Sequence, residues 1–155
     1  VSPGDKLFRA MLVKYGFKDG TVTSPGGWRC YITDVIKSVD RAEQWNKRPV
    51  AHHRAMAETW ASVLAWELEL GRPKIVVSVG AKVDRLLNFL LQRRLVPPLG
   101  ERMRIAHYSY IGSRADAKRR LGPGNPIRLA EWEQEFAAIA QARVSVETAA
   151  RGVAG

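Results

Sequence analysis

The stretch "KIVVSVGAKVDRLLNFLLQRR", residues 74 to 94, constrains the fold most. Its first part is apolar at nearly every position, as a strand covered on both faces requires. Gly80 then lets the backbone turn tightly, and a Leu-rich segment at helical spacing follows at once. A buried strand that feeds directly into a helix is a building block of α/β structure.

The rest of the chain alternates in the same way. "GDKLFRAMLVKYGF" predicts a helix carrying Leu7, Phe8, Met11 and Leu12, stopped by Gly16. "TVTSPGGW" is turn-rich, and "RCYITDVI" predicts a β-branched strand. "KSVDRAEQWNKRPV" is polar and irregular. A long helix is predicted from about His52 to Leu70, with Met56, Trp60, Val63, Leu64 and Leu68 on one apolar face and Gly71 at its end. After the turn "LVPPLGE" comes a short strand, "RMRIAHY". "GPGNP" breaks the chain, and "IRLAEWEQEFAAIAQA" predicts a closing helix with Leu129, Trp132, Phe136 and Ile139 on one face. The expected fold is a three-layer α/β/α arrangement around a mostly parallel sheet. Residues 1–141 form one domain, and 142–155 an Ala-rich tail.

Ligands of such sheets bind beyond the C-terminal ends of the strands. Those ends are Thr33-Asp34, Ser78-Val79-Gly80 and His107-Tyr108-Ser109, all expected on one rim. Charge bears on what the rim meets. There are 25 Lys and Arg against 15 Asp and Glu, a net +10, with excess at residues 41–54 and 114–128. That balance favours a polyanion such as nucleic acid, although charge that merely keeps the protein dispersed fits it equally. Cys30 is the one cysteine, which excludes an internal disulfide and a cysteine-held metal or iron–sulfur centre within the chain. No apolar stretch reaches the ~20 residues of a membrane span. The first residue, Val1, leaves a processed or cut N-terminus as the expectation.

Three constellations carry possible chemistry. "SVGAK" places Gly80 and Ala81 at a helix start whose free N–H groups suit an anion, or it is an ordinary strand-to-helix turn. Asp34 ends a strand and could serve as acid, base or acceptor, or as a turn aspartate. "HYSYIGSR" is more specific as a set. His107 can donate to a leaving group, Ser109 can bond a phosphate oxygen, and Tyr110 and Ile111 can wedge into a base stack. Arg114, Lys118, Arg119 and Arg120 can hold a backbone. A surface histidine beside a solvated basic helix is the plain alternative. His52 and His53 are neighbours in sequence and make a poor metal pair. Trp60 and Trp66 read as packing residues of the long helix, and Trp28 and Trp45 as loop residues open to a partner. No G-x-S-x-G marks a nucleophile elbow.

In this order the pieces resemble the uracil-DNA glycosylase superfamily over roughly residues 3 to 137. "PGDKLFRAML" is similar to the glycine and helix after that family's first active-site loop, and "CYITDVIKS" to its Ile-Thr-Asn strand. "ELELGRPKIVVSVGAKV" is similar to its Pro-Lys strand ending in Gly, and "HYSY" to its His-Pro-Ser loop. The resemblance implies excision of a flipped-out base from DNA without a metal or other cofactor. His107 would stabilise the departing base anion. Asp34 would read the base edge, Ser109 would grip a phosphate, and Tyr110, Ile111 and Arg114 would fill or flank the hole in the stack. Gly80 and Ala81 would line the DNA-contacting rim, with Lys118 and Arg119 on the backbone.

Three departures accompany it. The family's opening strand and water-activating motif would lie before Val1, so the chain is expected to be either a fragment or a relative without that loop. Asp34 stands where the family has Asn. An ionised carboxylate only accepts hydrogen bonds and repels the O4 carbonyl of uracil. Ser38 stands near where iron–sulfur branches carry a cysteine, so no cluster is expected. The implied protein is a monomer acting on DNA, with no membrane partner, in a nucleoid-associated or nuclear setting. Two other readings remain: a non-catalytic nucleic-acid-binding module of this fold, and a nucleotide-binding α/β protein that takes a phosphate at "SVGAK".

Overall fold

In the computed structural model residues 3–38, 41–111 and 129–153 are described. Helix α1 (Pro3–Lys14) is followed by the short α2 (Ala42–Lys47) and the long α3 (Val50–Gly71). Strand β1 (Ile75–Val79), helix α4 (Ala81–Gln92) and strand β2 (Glu101–Ile105) come next. A 3-10 turn (Tyr108–Ile111) and helix α5 (Leu129–Val153) complete the order.

The two strands pair with each other. Glu101 N–H donates to the Lys74 carbonyl at 3.0 Å, and Gly80 N–H donates to the Ile105 carbonyl at 2.8 Å. The starts therefore meet and the ends meet, so the pair is parallel. A parallel pair needs a crossover, and α4 supplies it. The mixed helix and strand class is thus as expected, but the sheet among the described residues has two strands, short of a three-layer arrangement.

The segment "RCYITDVI" is a correction. It takes no regular strand structure, and Tyr31 and Ile32 are exposed at 74% and 52%. β-branched residues favour a strand only where a neighbouring ladder takes up the peptide groups. Here the local pairing is a single antiparallel bridge between Lys18 and Trp28, and Arg29 N–H donates to the Phe17 carbonyl at 3.0 Å.

The chain divides into two compact units. The first takes the described residues of 1–31, 77–80 and 103–155. Its core joins Phe8, Met11, Leu12 and Phe17 to Ile105, Trp132, Phe136 and Ile139. Phe8, Met11 and Leu12 fall on the helix face that the sequence pattern predicts, and Trp132, Phe136 and Ile139 do so on α5. Leu129 does not: it is 46% exposed, at the first turn of that helix. Burying each large apolar side chain contributes about 1.5–3 kcal/mol. The Trp132 ring meets Phe136 edge-on at 5.0 Å, and Phe8 lies 5.9 Å from Phe136. Residues 142–153 continue α5, and Arg143 Nη1 donates to the Gly16 carbonyl at 2.7 Å.

The second unit takes the described residues of 32–76 and 81–102. Its core is Ala57, Ala61 and Leu64 of α3 with Leu87 and Leu90 of α4 and Val96. The buried stripe of α3 is His53, Ala57, Ala61 and Leu64, so it runs one position away from the face set by Met56, Trp60 and Val63. Small alanines let α4 approach closely, and the larger side chains flank the contact. Trp66 is another correction, because it is 61% exposed rather than packed.

Candidate active site

β2 ends at Ile105, and His107 follows two residues on, just before the 3-10 turn. The tight turn brings residue 109 back onto the imidazole. Ser109 N–H donates to His107 Nδ1 at 3.1 Å, and the Ser109 hydroxyl lies 2.8 Å from the same nitrogen. A nitrogen that accepts from a backbone N–H cannot carry a proton of its own. The imidazole is therefore neutral, with its proton on Nε2. Burial supports that state, because desolvation pushes the His107 pKa below its ordinary 6.5. Among the described residues Nε2 has no hydrogen-bond partner, so this N–H is free to donate.

The ring is held by close packing on several sides. His107 stacks on Tyr108 at 4.2 Å, and Tyr108 meets Phe8 at 5.6 Å. Two glycines leave the necessary room. A Cβ on Gly80 would lie 3.0 Å from His107 Cβ, and Gly80 has φ +99. A Cβ on Gly4 would lie 2.9 Å from Tyr108 Cδ2 and 3.1 Å from the Tyr108 carbonyl oxygen. The glycines of "PGDK" and "SVGAK" thus both admit the His107–Tyr108 segment. Ser78, one residue before the end of β1, is 2% exposed.

Behind His107, the peptide groups of Ala106 are taken by α5. Glu135 Oε2 accepts from Ala106 N–H at 2.8 Å, and Trp132 Nε1 donates to the Ala106 carbonyl at 3.0 Å. No local pattern in the sequence announces these partners, which lie 29 and 26 residues away.

Asp34 and Ala81 belong to the other unit. Asp34 is exposed, and among the described residues no hydrogen bond engages its carboxylate. Its backbone is anchored instead. Lys37 Nζ donates to the Asp34 carbonyl, to Thr33 Oγ1 at 2.6 Å and to Glu67 Oε2 at 2.8 Å. The Thr33 hydroxyl donates to the same Glu67 carboxylate at 3.0 Å. An ammonium has three N–H donors, and all are used here. Lys37 therefore holds the loop to α3. The i, i+4 spacing of Thr33 and Lys37 hints at this; Glu67 carries no local signal. Ala81 opens α4 and is exposed.

Tyr110 and Ile111 lie in the 3-10 turn. Arg114, Lys118, Arg119 and Arg120 fall outside the described residues. The remaining histidines pack together. His53 Nε2 lies 3.0 Å from the Trp45 carbonyl oxygen, and the His53 and Trp45 rings stack at 4.2 Å. Trp28 is flanked by cations, with Lys18 Nζ 5.0 Å and Arg9 5.9 Å from its ring centre. Among the described residues no group of three or more His, Cys, Asp or Glu is placed to hold a metal ion. None of their helices is long and apolar enough to cross a membrane.

The model of the uracil DNA glycosylase superfamily matches residues 1–127, most of the chain. The chain belongs to that superfamily. No curated protein and no solved structure matches it. Membership in the uracil DNA glycosylase superfamily points to a glycosylase-like function and to DNA as the substrate, and it agrees with the α/β class.

Proposed function

We propose that this member of the uracil DNA glycosylase superfamily flips a deaminated base such as uracil out of DNA and hydrolyses its N-glycosidic bond. The observation that carries the reading is the neutral His107 with a free Nε2–H. Glycosidic cleavage leaves negative charge on the departing base. A preformed, partly desolvated donor stabilises that charge in the transition state more than in the ground state. A neutral imidazole does this without giving up a proton.

In this reading Asp34 faces the base edge, Ser109 holds both the imidazole and a nearby phosphate, and Tyr110 and Ile111 enter the stack. Arg114, Lys118 and Arg119 bind backbone phosphates, and Gly80 and Ala81 contact the DNA. The protein acts as a monomer without a cofactor, where DNA is found, in the nucleoid or nucleus. Asp34 favours bases that present an N–H donor at the position where uracil presents O4. It also favours a second reading, a DNA-binding module of the same fold that has lost the chemistry.

Base release from oligonucleotides carrying uracil, hypoxanthine or xanthine tests the first reading. Abasic product is expected, lowered by orders of magnitude in His107→Ala. No abasic product, with DNA binding that falls steeply with salt, selects the second reading.

A further inference from the structure

The proposed donor sits on a backbone that the sheet no longer holds. The last ladder bond joins Gly80 N–H to the Ile105 carbonyl at 2.8 Å. Ala106 comes next, and His107 after it. An unpaired N–H and C=O at that point would leave the Ala106 dihedrals free to vary. Instead α5 takes both groups. Glu135 fixes the peptide plane before Ala106, through its N–H at 2.8 Å. Trp132 fixes the plane after it, through its C=O at 3.0 Å. The two residues are three apart on one helix face.

We infer that Glu135 and Trp132 are positioning residues for His107: together they clamp Ala106 from α5 and so set where the imidazole of the next residue stands. The inference rests on the proposed role of His107 in base release, though the clamp itself has a readout of its own.

Attachment of α5 to the core does not call for this arrangement. Trp132, Phe136 and Ile139 are buried at 0%, 1% and 6% exposure and supply the apolar contact. A buried indole needs some acceptor for its N–H, so Trp132 alone could be ordinary packing. The carboxylate of Glu135 has no such excuse. Bonded to a backbone N–H, it makes a charge-assisted hydrogen bond, which is shorter and stronger than a neutral one. Both bonds converge on one alanine, the residue immediately before His107. Tyr108 and Gly80 then limit the ring from the other sides. With Ala106 fixed, Nδ1 falls under the Ser109 N–H, and the proton is left on Nε2. With Ala106 free, the Nδ1 contact loosens and the two neutral tautomers mix.

The test is nitrogen NMR of the histidine rings in the whole chain. There are three histidines, and His107→Gln assigns the relevant signals. The wild type is expected to show an unprotonated Nδ1 at His107. Glu135→Ala is expected to move both His107 nitrogens toward the averaged positions of mixed tautomers. Glu135→Gln, whose amide oxygen still accepts, is expected to restore them. Trp132→Phe keeps a ring and loses the donor; it is expected to produce a smaller move, and it carries the test where Glu135→Ala does not fold. Ile139→Ala serves as control, since it weakens the same helix without touching Ala106. Unmoved His107 signals in Glu135→Ala and Trp132→Phe overturn the clamp. So does an equal move in Ile139→Ala at matched loss of stability.

Activity separates this from the functional reading. Where the chain releases a base, Glu135→Ala is expected to lower kcat by about 10- to 100-fold with KM little changed. Base release that His107→Ala leaves intact overturns the role of His107 while leaving the NMR result standing. Wild-type kcat in Glu135→Ala overturns the clamp while leaving that role standing.

Discussion

Ser109 closes a ring onto the residue two before it. Its backbone N–H and its hydroxyl both address His107 Nδ1, at 3.1 and 2.8 Å. The imidazole is thereby held neutral, in agreement with the burial that lowers its pKa. Protonation of His107 breaks the bond from the Ser109 N–H, because an imidazolium Nδ1 can no longer accept.

The first prediction follows from the sign of that shift. The folded pKa lies below the unfolded value, so in acid the unfolded chain binds the proton more readily. The stabilisation linked to His107 is present in full above the ordinary 6.5 and is lost as pH falls through the lowered folded value. Urea midpoints are expected to fall between about pH 7 and pH 5 more steeply for the wild type than for His107→Gln. The Gln variant has no titrating group at this position. Parallel slopes would show that His107 is not the group responsible.

Gly80→Ala is expected to damage the site twice. The positive φ of +99 is unfavourable for an L side chain, at roughly 1–2 kcal/mol. The new Cβ also lies 3.0 Å from His107 Cβ, so His107 has to shift. Gly152→Ala is the matched control, because nothing lies within 4 Å of its added Cβ. Thermal unfolding is expected to show a clear loss for the first substitution and none for the second. Equal stabilities would mean that the close approach at Gly80 relaxes without cost.

What the sequence makes legible is local. The run "KIVVSVG" followed by a Leu-rich segment predicts β1, the Gly80 turn and α4, because period and glycine act within a few residues. The strand leading to His107 is legible for the same reason, although it ends at Ile105 and not, as "RMRIAHY" suggests, beyond the histidine. "RCYITDVI" misleads, since a strand also needs a neighbour, and composition says nothing about neighbours. The stripe of α3 is displaced because Ala57 and Ala61, weakly hydrophobic by type, are buried for their small size. Trp66 has the composition of a core residue and stands in solvent. The clamp on Ala106 and the Lys37–Glu67 pair join residues 26 to 30 positions apart, and no sequence period reports such contacts.

Lys37 yields the third prediction. Its side chain and that of Glu67 are 19% and 11% exposed, so the pair is largely removed from water. Lys37→Met removes one cation from the Glu67 carboxylate, to which the Thr33 hydroxyl still donates, and removes the donor of the Asp34 carbonyl. A loss of about 2–4 kcal/mol is expected, near the range for breaking a buried pair. Adding Glu67→Gln shows how much of that loss comes from the Lys37–Glu67 charge pair. Denaturant unfolding of the two single variants and the double variant measures the coupling. Because Lys37 has no N–H to spare, Lys37→Met is also expected to leave the salt slope of DNA binding unchanged. A slope reduced by about one unit would instead identify Lys37 as a phosphate contact.

The last prediction compares two helix ends. α1 closes with Phe17 N–H on the Leu12 carbonyl at 2.8 Å and Gly16 N–H on Val13 at 3.1 Å, with Gly16 at φ +74. α4 closes in the same pattern, with Leu95 N–H on Leu90 and Arg94 N–H on Leu91, both at 3.0 Å. In the second case the left-handed position is Arg94, at φ 58. Both ends satisfy their last carbonyls alike, but only one has the residue that suits the conformation. Arg94→Gly relieves the steric cost and gives back some of it as chain entropy, so a net gain of up to about 1 kcal/mol is expected. Gly16→Ala is expected to lose stability, with the Arg143 guanidinium 3.3 Å from the added Cβ increasing the loss. Opposite shifts in melting temperature confirm that the cap geometry, and not the residue type, sets the sign. A loss of stability in Arg94→Gly would mean that the Arg94 side chain contributes more than its backbone strain costs.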